Sequence, residues 1–219
     1  MTDSGCHVDC EFVFGGTFDP VHLGHIEIIK TINQIAPNSG IRILPCAIPA
    51  LKNKPQTTFE QRVAMLMLAT EEFATAQIDK RESLREKTSY TIETLIELRA
   101  EFPSKTFVFV MGADSIASFK NWFRWQEIHQ YCHLLVVSRA DSHSYQLDQL
   151  VQQAGFDLTE KVTDLELQDH GLALVISMRD MPQASNQIRK AVTFGKALDS
   201  LLPNSVIEYI SKNHLYESD

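Results

Sequence analysis

Short, largely apolar runs alternate along this chain with longer stretches whose apolar residues recur at helical spacing. Residues 10–14 read as a first strand, and 25–36 as a helix with Ile28, Ile32 and Ile35 on one face. Pro37, Asn38, Ser39 and Gly40 end that helix. A strand over 41–44 is closed by Pro45, and 46–58 form a loop rich in proline and lysine. Thr57 and Glu60 have the spacing of a capping box, ahead of a helix with Phe59, Val63 and Leu66 on one face. Residues 76–79 suit a short strand and 81–87 a charged loop. Residues 89–101 read as a helix with Ile92, Leu95 and Ile96 inward, stopped by Pro103. The runs 106–111 and 133–138 read as buried strands, the first suited to a sheet covered on both faces, and 172–177 reads as a last strand. Further helices are predicted over 122–131, 145–154, 185–194 and 203–213, whereas 156–170 carry no clear pattern.

Strands alternating with helices imply right-handed crossovers and an α/β fold with a doubly wound parallel sheet. In such sheets ligands bind beyond the carboxyl ends of the strands, where strand order switches. Gly15-Gly16, Gly112-Ala113-Asp114 and Ser138-Arg139 each follow a predicted strand, so all three fall on one rim. The expected organisation is a disordered leader over 1–9 and a single domain over 10–216.

The 219 residues and 44% hydrophobic content suit one domain with a sizeable core. A net charge of -8 without a Lys/Arg cluster argues against general nucleic-acid binding, which rests on neutralising phosphates. A small anion needs only a local positive pocket. Cys6, Cys10, Cys46 and Cys132 form no metal-like cluster, and free thiols fit a reducing cytosol. The start of the chain has no signal-peptide core, and no apolar run approaches the ~20 residues of a membrane span. A cytoplasmic protein is expected, and a homo-oligomer is left open.

The chemistry concentrates in the stretch from Phe12 to His25. A strand runs into Gly15 and Gly16, an Asp19-Pro20 turn follows, and His22-Leu23-Gly24-His25 opens a helix. Paired glycines let main-chain N–H groups face an anion, and the helix start adds its positive end. Two histidines three apart can project to one side of that start.

Gly15 to His25 resembles the GGTFDPxHxGH signature of nucleotidylyltransferases, specifically the bacterial nicotinate-mononucleotide adenylyltransferases, and the likeness extends from about Phe12 to Tyr216. It implies a Rossmann-like nucleotidylyltransferase fold and transfer of the adenylyl group of ATP to nicotinate mononucleotide. The products would be deamido-NAD and pyrophosphate, with Mg²⁺ arriving on ATP and no dedicated protein metal site. By the resemblance, His22, His25, Lys52 and Arg189 are the catalytic set. Gly15, Gly16, Thr17, Phe18, Gly24, Gly112, Asp114, Arg139, Ser185 and Asn186 line the ATP site. Ser89, Tyr90, Thr91, Trp122 and Phe123 line the mononucleotide site, with Trp122 as the platform for the pyridine ring and Trp125 assigned to packing.

The chain departs from the family pattern in three places. Leu51 stands where a histidine is usual before Lys52, leaving Lys54 as a competitor. Glu93 replaces an aspartate, and Ala184 and Asn186 replace a serine and a threonine. The alternatives are a nicotinamide-mononucleotide or other HxGH adenylyltransferase, or a nucleotide-binding regulator that has lost catalysis.

Overall fold

The computed structural model describes residues 10–51, 53–85, 87–139, 145–178 and 184–217, and the predicted leader over 1–9 lies outside them. Among the described residues, β1 (Cys10–Gly16), β2 (Gly40–Pro45), β3 (Ala76–Ile78), β4 (Thr106–Gly112), β5 (His133–Arg139), β6 (Asp157–Thr159) and β7 (Leu172–Met178) pair in one parallel sheet. Their order is β3-β2-β1-β4-β5-β7-β6. The chain thus winds outward from β1 through β2 to β3, then returns to β4 on the other side of β1. That reversal makes the doubly wound sheet expected from the alternation of patterns.

Successive strand residues point to opposite faces, so β1 sends Phe12 and Phe14 into one core and Val13 into the other. The first core packs under α1 (Leu23–Ile35), α2 (Phe59–Thr70), α7 (Ser185–Thr193) and α8 (Asn204–Lys212). The second packs under α3 (Thr91–Glu101), α4 (Ala113–Ile116), α5 (Trp125–Ile128) and α6 (Tyr145–Gln153). Burial on both faces is why the central strands read as unbroken apolar runs.

Several local expectations are corrected. Helix α1 starts at Leu23, and its buried stripe is Ile26, Ile29 and Ile32, with Ile28 and Ile35 half-buried beside it. The N-cap of α2 is Thr58, answered by Gln61 rather than Glu60, because the Thr57 hydroxyl is spent on Asp19. On α3, Leu98 rather than Ile96 completes the buried stripe with Ile92 and Leu95. The predicted loop over 81–87 begins as a 3₁₀ turn, Arg81–Leu84, with Arg81 pinned by Asp79. The helix predicted over 122–131 is broken by Arg124, which sits at φ 52 in the left-handed region. Only Trp125–Ile128 is α-helical there, after a 3₁₀ turn at Phe119–Asn121. The patternless stretch holds β6 and a third 3₁₀ turn, Val162–Glu166.

His133 stitches this far edge. Its Nδ1 accepts from the Leu172 N–H at 3.0 Å, which leaves the proton on Nε2 to be donated to the Gln168 carbonyl at 2.8 Å. The residue is fully buried, and burial lowers its pKa, so it is held neutral.

Candidate functional site

The sheet opens at its reversal point. Pairing of β1 with β2 continues to Gly16 opposite Pro45, but pairing with β4 stops at Phe14 opposite Val110. Beyond that register β1 and β4 part, and a crevice begins between Gly15-Gly16 and Gly112. A Cβ on Gly112 would meet nothing within 4 Å, and one on Gly15 would rest 3.6 Å from the Phe109 ring. Gly16 is different: a Cβ there would come 2.8 Å from the Phe18 ring, so no side chain fits. The two glycines extend β1 rather than following it, which corrects the expected strand end at residue 14.

Phe18, at φ 50, and the cis Asp19–Pro20 peptide turn the chain into α1, with His22 as its N-cap. Phe18 is buried with its ring 4.9 Å from that of His25, so the ring supports the histidine. The His22 N–H donates to His25 Nδ1 at 3.1 Å, and the two rings stack at 3.7 Å between centroids. His22 is 8% exposed, and burial lowers its pKa to about 4. Its Nδ1 has no hydrogen-bond partner among the described residues. Gly24 is the second residue of α1, half-buried between the two histidines in sequence.

A second helix start meets the same turn. Ser185, the first residue of α7, donates its hydroxyl to the Pro20 carbonyl at 3.1 Å. Arg189, one turn later, donates from Nη1 to the Asp19 carbonyl at 2.6 Å and keeps 26% of its side chain exposed. Ala184 is the N-cap and makes no side-chain cap, and Asn186 is exposed. Each α-helix start leaves main-chain N–H groups without an intrahelical acceptor. The start of α7 and the Arg189 guanidinium therefore meet the Asp19-Pro20 turn that leads into α1, whose Leu23 N–H is taken by the Leu201 carbonyl at 3.0 Å.

The far wall is aromatic. The Trp122 ring stands edge-on to Phe109 at 5.9 Å and lies 5.3 Å from Phe119, half-buried, while Trp125 packs on Phe119 as expected. Phe123, 48% exposed, lies 4.6 Å from the Tyr90 ring. Tyr90 is the N-cap of α3 and Thr91 its first residue, so α3 points a third uncapped start at this wall. Ser89 is tied to the loop after β2 through a bridge to Pro49 and an N–H bond to the Ile48 carbonyl at 3.0 Å. Glu93, in the first turn of α3, accepts from Lys87 Nζ at 2.9 Å.

Gly112 closes β4 rather than following it, and Asp114 lies exposed in the first turn of α4. Arg139 ends β5 opposite Met178, its side chain lying outside the described residues, as does Lys52 altogether. Lys54 lines a cavity of about 420 Å³ with Ile48, Pro49, Phe59 and Arg62. Thr17 contributes its carbonyl to Arg62 Nη1 at 2.6 Å. No group of three His, Cys, Asp or Glu side chains among the described residues could hold a metal ion.

Two charged residues in the frame of the site were not among the expected site residues. Asp19 is 3% exposed and Arg62 1%. Arg62 donates from one nitrogen to both the Thr17 and Cys46 carbonyls, clamping the loop after β1 to the loop after β2. The available signal was its position: it lies three residues after Phe59 and four before Leu66, on the apolar stripe of α2.

A parallel sheet with a crevice at its switch point, rimmed by helix starts, defines a nucleotide-binding α/β protein. The model of the cytidylyltransferase-like family matches residues 13–191. The "Probable nicotinate-nucleotide adenylyltransferase" of Cellvibrio japonicus is 36% identical over 209 residues, covering 93% of this chain and 97% of the relative. The protein of the same name from Psychromonas ingrahamii is 37% identical over 206 residues, covering 93% and 95%. Among solved structures, Plasmodium falciparum nicotinic acid mononucleotide adenylyltransferase complexed with NaAD superposes with a TM-score of 0.76 at 17% identity, covering 95% of this chain and 98% of that one. The chain belongs to the nicotinate-nucleotide adenylyltransferase family within the cytidylyltransferase-like proteins. No helix among the described residues is long and apolar enough to cross a membrane.

Proposed function

We propose that this protein transfers the adenylyl group of ATP to nicotinate mononucleotide, releasing pyrophosphate and deamido-NAD. The observation that carries this reading is the juxtaposition at one crevice of two unlike walls. One wall presents the starts of α1 and α7 with His22, His25 and Arg189; the other presents Trp122, Phe123, Tyr90 and the start of α3. The first suits a triphosphate, the second a flat ring bearing a carboxylate. The relatives carry the name nicotinate-nucleotide adenylyltransferase, which supports this choice of substrates.

In the reaction, a phosphate oxygen of the mononucleotide attacks the α-phosphorus of ATP. The bond from that phosphorus to the bridging oxygen of pyrophosphate breaks. No covalent enzyme intermediate is required, so positioning and charge stabilisation supply the rate. His25 accepts the His22 N–H at Nδ1, so its neutral tautomer carries a proton on Nε2 and donates from there. Arg189 and the first N–H groups of α7 would take the charge that develops on the departing pyrophosphate. Magnesium would enter with ATP, held by triphosphate oxygens and water.

The deciding experiment is pyrophosphate release with magnesium and ATP, offered nicotinate mononucleotide or nicotinamide mononucleotide in parallel. Faster release with the nicotinate form is expected. No release with either overturns the reading.

A further inference from the structure

We infer that Tyr216, near the end of the chain, is a positioning residue for ATP: through the Asp19 carboxylate its hydroxyl keeps the Arg189 guanidinium available to the triphosphate. The inference rests on the reading of Arg189 as a triphosphate ligand.

The hydrogen bonds to the Asp19 carboxylate come from neutral donors, with the Arg62 and Arg189 guanidiniums nearby. Its Oδ1 accepts from Thr57 Oγ1 at 2.7 Å and from the Tyr216 hydroxyl at 2.8 Å, and its Oδ2 accepts from the Gln56 N–H at 2.9 Å. Arg189 Nη1 stays 3.7 Å from Oδ2 and bonds the Asp19 main-chain carbonyl instead. A buried carboxylate beside a guanidinium would otherwise close into a direct, often bidentate pair. Such a pair would hold the arginine and cancel the charge that an incoming phosphate needs. The three neutral donors therefore satisfy the Asp19 carboxylate oxygens, and Arg189 stands in a longer ion pair with them, 3.7 Å from Oδ2, without a direct hydrogen bond to the carboxylate.

Tyr216 is built in firmly enough to do this. It is 8% exposed and takes a left-handed backbone, φ 63, in a turn that follows α8. Its carbonyl accepts from Thr193 Oγ1 at 3.0 Å, and the same hydroxyl lies 3.1 Å from the Arg189 carbonyl. The end of the chain is thus fastened to the arginine's own helix as well as to the turn before α1. Burial raises the phenol above its ordinary pKa, so it remains a donor throughout the working range.

The test compares Tyr216→Phe, Thr57→Val and the double variant Tyr216→Phe/Asp19→Asn with the unaltered protein. Readouts are the KM for each substrate, calorimetric binding of a non-hydrolysable ATP analogue, and Tm. Tyr216→Phe is expected to weaken the analogue and raise the KM for ATP by about tenfold, the effect of one charge-assisted hydrogen bond, with the KM for the mononucleotide unchanged. Thr57→Val should act in the same direction. Removing the carboxylate's charge in the double variant should return affinity toward the original value, which a merely structural defect would not do. Unchanged ATP affinity in Tyr216→Phe, or a double variant weaker than the single one, overturns the inference. If the unaltered protein binds the analogue but releases no pyrophosphate, the proposed reaction fails while the binding comparison still decides the role of Tyr216.

Discussion

The main-chain N–H of His22 points at Nδ1 of His25, 3.1 Å away, and the two imidazoles stack at 3.7 Å. One short segment therefore sets both the helix start and the tautomer of its second histidine. With Nδ1 occupied as an acceptor, the neutral His25 ring has a single donor, at Nε2. His25→Ala removes that donor while leaving the α1 backbone to be closed by its own hydrogen bonds. Turnover should fall by roughly 10²–10³-fold, the range for loss of one transition-state donor. The far-ultraviolet circular dichroism should be unchanged. Retained turnover with an unchanged spectrum would refute the role given to His25.

The neutrality of His22 has a consequence for stability. Its pKa is lowered to about 4 in the fold against an ordinary value of 6.5, because burial disfavours the charged ring. The unfolded chain therefore binds this proton more readily. The stabilising contribution is complete above pH 6.5 and is lost as pH falls toward 4. His133, also lowered by burial, acts in the same direction. Urea unfolding should show stability declining across that window. His22→Asn keeps an N-cap without the titration, so its decline should be shallower but still present, because His133 remains. An identical decline in the two proteins would assign the whole effect elsewhere.

How much of this was legible beforehand depended on whether a residue's role left a periodic trace. Strands β4 and β5 did, because a strand buried on both faces is largely apolar, and β7 kept an apolar run although only Ala173 and Leu174 of it are buried. The crevice did too, through glycines that follow apolar runs. Three features left no such trace. The break at Arg124 needs a left-handed backbone that an arginine does not announce. Asp19 reads as a turn residue before proline, and its burial depends on Thr57 and Tyr216, distant in sequence. Arg62 stood on an apolar stripe, a visible anomaly, but the carbonyls it clamps come from two loops that only the sheet brings together.

Trp122 was expected to offer its face to a pyridine ring. The structure adds that the ring is braced edge-on by Phe109, which itself lies under Gly15. Phe109 therefore stands between the Trp122 ring and the Gly15-Gly16 stretch. Trp122→Ala should raise the KM for the mononucleotide by about tenfold, a loss within the range for ring stacking, with a smaller effect on ATP. It should also lower Tm, since a half-buried ring leaves a cavity against Phe109 and Phe119. Trp122→Phe should recover most of the Tm and part of the affinity. Steady-state kinetics with each substrate varied in turn separates these effects. A rise confined to the KM for ATP would place the pyridine platform elsewhere.

Ala184 occupies a position whose backbone, at φ -125 and ψ 139, is already that of an N-cap, but its methyl group cannot accept a hydrogen bond. The neighbouring Ser185 does not substitute for it, because its hydroxyl donates to Pro20. The start of α7 is thus held from outside by the Asp19–Pro20 turn and left open along its own axis. Ala184→Ser adds the missing acceptor without a change of backbone. It should stabilise the protein by about 1 kcal/mol. For a chain of this length that corresponds to a rise in Tm of about 2–4 °C, readable by calorimetry. Turnover should persist, since one cap satisfies one N–H and leaves Arg189 and its bond to Asp19 untouched. A lower Tm would mean that the start of α7 is packed too closely to take even one oxygen, and that its open N–H groups cannot reach a phosphate.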